Sequence, residues 1–129
     1  MAGVLAMVAS AAPAQPAANR GCPAPPGGVN IALPSGLPAA LRDALSDVAL
    51  PGEPFDSTDV YVKRHKHSRY LFVWSVGARW IVATEEGGKT LRSAISVYRL
   101  DKDGKTATLI NERIGLNNVC GAATKLAGE

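Results

Sequence analysis

Long apolar runs are scarce in this chain of 129 residues: no segment reaches the ~20 consecutive apolar residues that a membrane-spanning helix needs. A transmembrane anchor is therefore not expected. Chemistry-bearing residues are few, with two cysteines and two histidines in the whole sequence. There is no G-x-S-x-G, no H-E-x-x-H and no second cysteine pair, so the common hydrolase and metalloprotease signatures are absent. No repeat of solenoid or propeller period is present. A general basic excess is missing too. The net charge of +3 comes from Lys63, Arg64, Lys66 and Arg69, four positives without which the chain would be slightly acidic. Nucleic acid is thus not an expected partner, and any preference for anions belongs to one patch.

What is present begins with a small-residue apolar stretch, Ala2 to Ala12, followed by Ala12-Pro13-Ala14, an A-x-A cleavage pattern. This predicts a signal peptide over 1–14, a Pro/Ala-rich linker over 15–28 and a single domain over 29–129. The basic residues that usually precede such an apolar run are lacking, and a start codon upstream of Met1 would supply them. Export places the protein in the periplasm or outside the cell, where Cys22 and Cys120 are expected to form a disulfide. A lipid anchor on Cys22 is disfavoured because Asn19 and Arg20, rather than a small-residue lipobox, precede Gly21. A nucleophilic Cys120 would need a nearby base, and the bridge is the simpler reading.

Both tryptophans lie between Arg69 and Gly88, RYLFVWSVGARWIVATEEGG. Tyr70–Val76 and Arg79–Thr84 are rich in aromatic and β-branched residues, and Gly77-Ala78 suits a two-residue type II′ turn. That turn sets a register in which Val76 faces Arg79, Trp74 faces Ile81, Phe72 faces Ala83 and Tyr70 faces Glu85. Leu71, Val73, Trp80 and Val82 fall on the other side. Both faces are largely apolar, as in a hairpin central to its sheet and covered above and below.

Around this hairpin, Leu37, Leu41, Leu45 and Val48 recur at helical spacing, with Ser35 and Pro38 at the start and Pro51-Gly52 at the end. Val60 to Lys63 reads as a short strand. Strands are also expected at 94–100 and 106–110, joined by an Asp/Gly turn at Asp101–Gly104. Asn117 or Asn118 can cap a final helix with Val119, Ala122, Ala123 and Leu126 on one face. The fold class expected is α+β: an antiparallel meander sheet of about four or five strands, an N-terminal helix and a disulfide-tethered C-terminal helix.

The densest polar run is Lys63-Arg64-His65-Lys66-His67-Ser68-Arg69. In an extended segment His65 and His67 project to the same side. Two imidazoles begin a metal site, but a closed zinc centre needs about four ligands and only a carboxylate such as Glu85 or Glu86 remains to complete it. No metal and no cofactor is expected. Binding of an anionic polymer or lipid surface suits the same residues, against the plainer reading of a solvated loop before an apolar strand. Glu85 and Glu86 form the alternative site, as acid and base of an envelope hydrolase. Adjacent strand residues diverge, however, whereas glycoside hydrolysis needs two carboxyls ~5–9 Å apart across a cleft. Gly87-Gly88-Lys89-Thr90 ends like a P-loop, but its first glycine would fall at Ala83, inside a strand. Asp101-x-Asp103-Gly104 lacks the remainder of a calcium loop.

The pattern Phe72-x-Trp74, Arg79-Trp80-Ile81-Val82-Ala83-Thr84-Glu85, Gly87-Gly88, Tyr98-x-Leu100 and Asp103-Gly104 resembles a group of small exported bacterial proteins of unassigned function. The resemblance covers Arg69 to about Ile110 together with Cys120, and it implies compartment and a β-rich fold. It carries over no catalytic residue. The function expected is that of an exported, non-enzymatic binding, inhibitor or accessory module. Its partner would be a protein or an anionic envelope component, and the candidate contacts are His65, Lys66, His67 and Arg69.

Overall fold

The computed structural model describes residues 22–57 and 65–129. Along the chain come β1 (Gly28–Asn30), α1 (Ala39–Ala44), β2 (Val48–Ala49), β3 (Ser68–Val76), β4 (Arg79–Glu86), β5 (Arg92–Leu100), β6 (Ala107–Leu116) and α2 (Val119–Ala127). The expected strand at Val60–Lys63 lies outside the described residues. The six strands form one sheet in the order β1-β3-β4-β5-β6, and β3 to β6 make the antiparallel meander. Since β4 takes one edge of β3, the other is shared between β1, antiparallel at Trp74–Val76, and β2, parallel at Ser68–Arg69.

The hairpin follows from its turn. Gly77 adopts a φ of +59°, which costs a residue without a Cβ little, and Val76–Arg79, Trp74–Ile81 and Phe72–Ala83 pair as the turn dictates. Beyond Phe72 the expected register fails. A bulge at Leu71 shifts the ladder by one residue, so Tyr70 faces Thr84 rather than Glu85, and Arg69 takes the place opposite Glu85. The extra residue exchanges faces as well: Leu71 joins Phe72 and Trp74 on one side, while Tyr70 joins Val73 on the other.

Both faces of the hairpin are covered by the chain itself. On one side α2 lays Ala123, Leu126 and Ala127 over Leu71, Phe72, Trp74, Ile81, Ala83, Ile95 and Val97. The Phe72 and Trp74 rings stack at 4.8 Å between centroids, and Trp74 Nε1 donates to the Cys22 carbonyl at 3.2 Å. Both ends of α2 are secured. Asn118 caps the first turn by accepting from the Gly121 N–H, the Cys22–Cys120 disulfide ties that turn to the N-terminal arm, and Arg79 donates to the Leu126 and Ala127 carbonyls at the far end. On the other side Leu37, Leu41 and Leu45 cover Tyr70, Val73 and Val82. The helix there is shorter than its apolar spacing suggests. It ends at Ala44, and Val48, expected as its last apolar residue, donates its N–H to the Leu45 carbonyl and enters β2 beside Ser68.

The 10-residue β6 is the outer strand of the meander, and its Leu109, Ile110 and Ile114 are among the most exposed large apolar side chains. Its pairing with β5 skips Ile110 and Gly115, two bulges that break the regularity of the edge.

Candidate binding site

The basic run emerges where three short segments meet the start of β3. Val48 and Ala49 pair with Ser68 and Arg69, and Phe55 bridges to Lys66. The Asp56 N–H donates to the Lys66 carbonyl at 2.7 Å, and the Gly87 N–H donates to the His67 carbonyl at 3.1 Å. Gly87 is required here for space. A Cβ at this position would run into the Asp56 carbonyl group. The Gly-Gly segment after β4 therefore admits the strand-like piece around Asp56 to the end of the hairpin.

That approach carries the Asp56 carboxylate inward, with its side chain 1% exposed, beneath both histidines. His65 Nδ1 lies 3.4 Å from Oδ1, and His67 Nδ1 lies 3.1 Å from Oδ2. The two imidazoles thus share one side, as the strand period predicts, and each turns its Nδ1 toward the same buried carboxylate. Asp47, His65, Lys66, His67 and Ser68 line an open cavity of ≈ 370 Å³ above them, within the size range of small-ligand sites.

Arg69 is engaged differently. The bulge at Leu71 sets it opposite Glu85, with which its guanidinium forms an ion pair, and its Cζ lies 4.4 Å from the centroid of the Phe55 ring. Arg69 therefore braces the site from within. Glu85 is buried and committed to this pair, whereas Glu86, on the opposite face, stands 3.5 Å from Arg92. The two carboxylates diverge, each toward its own arginine, and do not face one another across a cleft as acid and base.

Among the described residues no group of three or more His, Cys, Asp or Glu side chains is arranged to hold a metal ion. Among the same residues no helix is long and apolar enough to cross a membrane. Lys63 and Arg64 lie outside the described residues. Asp56 and Asp47 are the site residues that sequence reasoning does not single out. Asp56 sits nine positions before His65 in a stretch that reads as loop, and no periodicity marks it. The only hint is that a dense basic run packed against a sheet needs a counter-charge.

Fold and cavity together define a small disulfide-bonded α+β domain with a polar site at one end of its sheet. No protein-family model, no curated protein and no solved structure matches the chain.

Proposed function

We propose that this protein is an exported, non-enzymatic binding module of the bacterial envelope that engages its partner through the cavity at His65, Lys66, His67 and Ser68. The observation that carries this reading is the pair of imidazoles anchored on buried Asp56 at the wall of that cavity. Residues held in place by a buried partner offer a pre-organised surface, which lowers the ordering cost of binding. The disulfide and the cleavage pattern after Ala14 support an oxidising compartment, periplasmic or extracellular. The commitment of Glu85 to Arg69 weighs against the hydrolase alternative.

The test is affinity capture from a detergent-solubilised envelope fraction, with wild type and with a His65→Ala/Lys66→Ala/His67→Ala variant as bait. Partners retained by wild type and lost by the variant support the reading. Identical retention would remove this cavity from any binding role.

A further inference from the structure

The histidine cavity occupies one end of the sheet, and the opposite end gathers a second set of cations from segments distant in sequence. There β3 turns into β4 through Gly77-Ala78, β5 turns into β6 through residues 101–106, and β1 pairs with the last residues of β3. The C-terminus of α2 arrives at the same end, because Arg79 donates to the Leu126 and Ala127 carbonyls. Arg79, Arg99, Lys102, Lys105 and Lys125 are thereby brought to one region that holds two acids, Asp101 and Asp103, while Glu129 pairs with Arg113 on β6. Arg79 and Arg99 stand directly opposite on the ladder, where like charges repel unless something neutralises them. The α2 carbonyls answer Arg79. Arg99, Lys102, Lys105 and Lys125 are exposed and enter no ion pair among the described residues, and Asp103 turns one oxygen to the Lys105 N–H within its own turn. Four cations are left open to an external anion.

Apolar side chains flank these cations. Val29, 59% exposed, pairs with Ser75 beside the β3–β4 turn, and Leu109, 46% exposed, pairs with Tyr98 near the start of β6, followed by exposed Ile110 in the bulge. A soluble polyanion makes use of the cations but has no use for an apolar rim. An anionic bilayer uses both, since ammonium and guanidinium groups sit among its headgroups while apolar side chains reach the acyl boundary. The geometry points to this end of the sheet as a docking surface for a bilayer rich in anionic phospholipid. Each Lys or Arg near such a surface strengthens partitioning about fivefold, so a net excess of three cations gives about a hundredfold preference over a neutral bilayer. The contact is peripheral and reversible.

The purified full chain is sedimented with sucrose-loaded vesicles of phosphatidylcholine alone and of phosphatidylcholine with about one-third phosphatidylglycerol. At low salt the anionic vesicles bind about a hundredfold more tightly, and the difference shrinks as added salt shortens the screening length. Arg99→Gln/Lys102→Gln/Lys105→Gln brings binding down to the neutral-vesicle level. Arg42→Gln/Lys89→Gln/Arg92→Gln, which removes the same charge away from this end, leaves most of it. Leu109→Ser/Ile110→Ser lowers binding by about tenfold and keeps its salt dependence, each variant being checked for its fold by circular dichroism. Equal sedimentation with both kinds of vesicle, or equal losses in the two charge variants, overturns the assignment. So does displacement by free polyphosphate together with full binding of Leu109→Ser/Ile110→Ser, a result that makes the partner a soluble polyanion. Should the Arg99 substitution unfold the chain, Lys102→Gln/Lys105→Gln, confined to an exposed turn, decides by the same comparison, with an expected loss of about tenfold or more. The histidine cavity lies at the other end of the sheet, so the capture experiment judges it separately.

Discussion

The two halves of β3 are built on different principles. From Phe72 to Val76 the strand is held by its own pattern: apolar side chains alternate between two cores, and a glycine turn fixes the register. From Ser68 to Arg69, and back to His65, it is held by what other segments bring to it. These are the carboxylates of Asp56 and Glu85, the ring of Phe55, and the backbone of Val48, Ala49 and Gly87. Burial stabilises the first half without regard to direction, whereas the second depends on paired charges whose partners must be correctly placed. The bulge at Leu71 is the joint between them. It puts two consecutive apolar residues into the α2 core and, by shifting the register one step, gives Arg69 its acid.

This contrast predicts that damage can be confined to one half. The largest effect belongs to the apolar half: Cys22→Ser/Cys120→Ser removes a bridge spanning 98 residues and lowers unfolding stability by about 4–5 kcal/mol in the chain-entropy limit. Urea unfolding with and without reductant measures it, and nuclear magnetic resonance of the folded variant should still show the His65 and His67 signals at their native positions. Next comes the polar half. Glu85→Ala leaves the partly buried Arg69 guanidinium uncompensated, and a loss of about 3 kcal/mol is expected in the same assay. Glu85→Gln, which keeps an acceptor, should recover part of it.

Gly87→Ala sharpens the comparison further. The added methyl displaces the Asp56 segment from the hairpin end, with an expected cost of about 1–3 kcal/mol. The native His65 and His67 resonances should be lost in this variant while the tryptophan fluorescence of the Phe72–Trp74 core stays native. A simultaneous loss of both would mean that the halves are one cooperative unit. The smallest effect is alkaline. Burial, with a contribution from Tyr98, pushes the Tyr70 phenol up to about 12. The folded state therefore holds this proton more tightly than the unfolded chain, whose tyrosines ionise near ~10. The stabilisation is complete below that pH and is lost as pH rises from about 10 through about 12. Tyrosinate absorbance should lose its last-titrating group in Tyr70→Phe, while Tyr98, raised by its own burial and by Glu112, still ionises above its ordinary range. A wild-type chain with every tyrosine titrating near ~10 would refute the burial of Tyr70.

The sequence was most legible where a local rule had a single answer. Gly77-Ala78 closes the hairpin, Asn118, one of the two residues expected to cap the final helix, caps α2, and the paired cysteines tie the N-terminal arm to that helix. It was least legible where residues far apart compete for one position. Val48 has the spacing of a helix but enters β2 beside Ser68. Tyr70 has the parity to face Glu85, yet Leu71 is inserted ahead of it. Of the candidate contacts, the strand period placed His65 and His67 together and indicated that Glu85 and Glu86 diverge. It gave no sign that Arg69 would turn inward.

By itself, then, the sequence determined the elements governed by neighbours along the chain: the turn, the alternation of the hairpin, the last helix and the cluster of positive charge. Tertiary structure decided which charges are neutralised within the fold and which line the cavity. It did so by bringing Asp56, Phe55 and Gly87 to the start of β3. The physical reason is range. Backbone conformation and side-chain period act over a few residues, whereas a buried carboxylate is tolerable only where the whole fold delivers its partners.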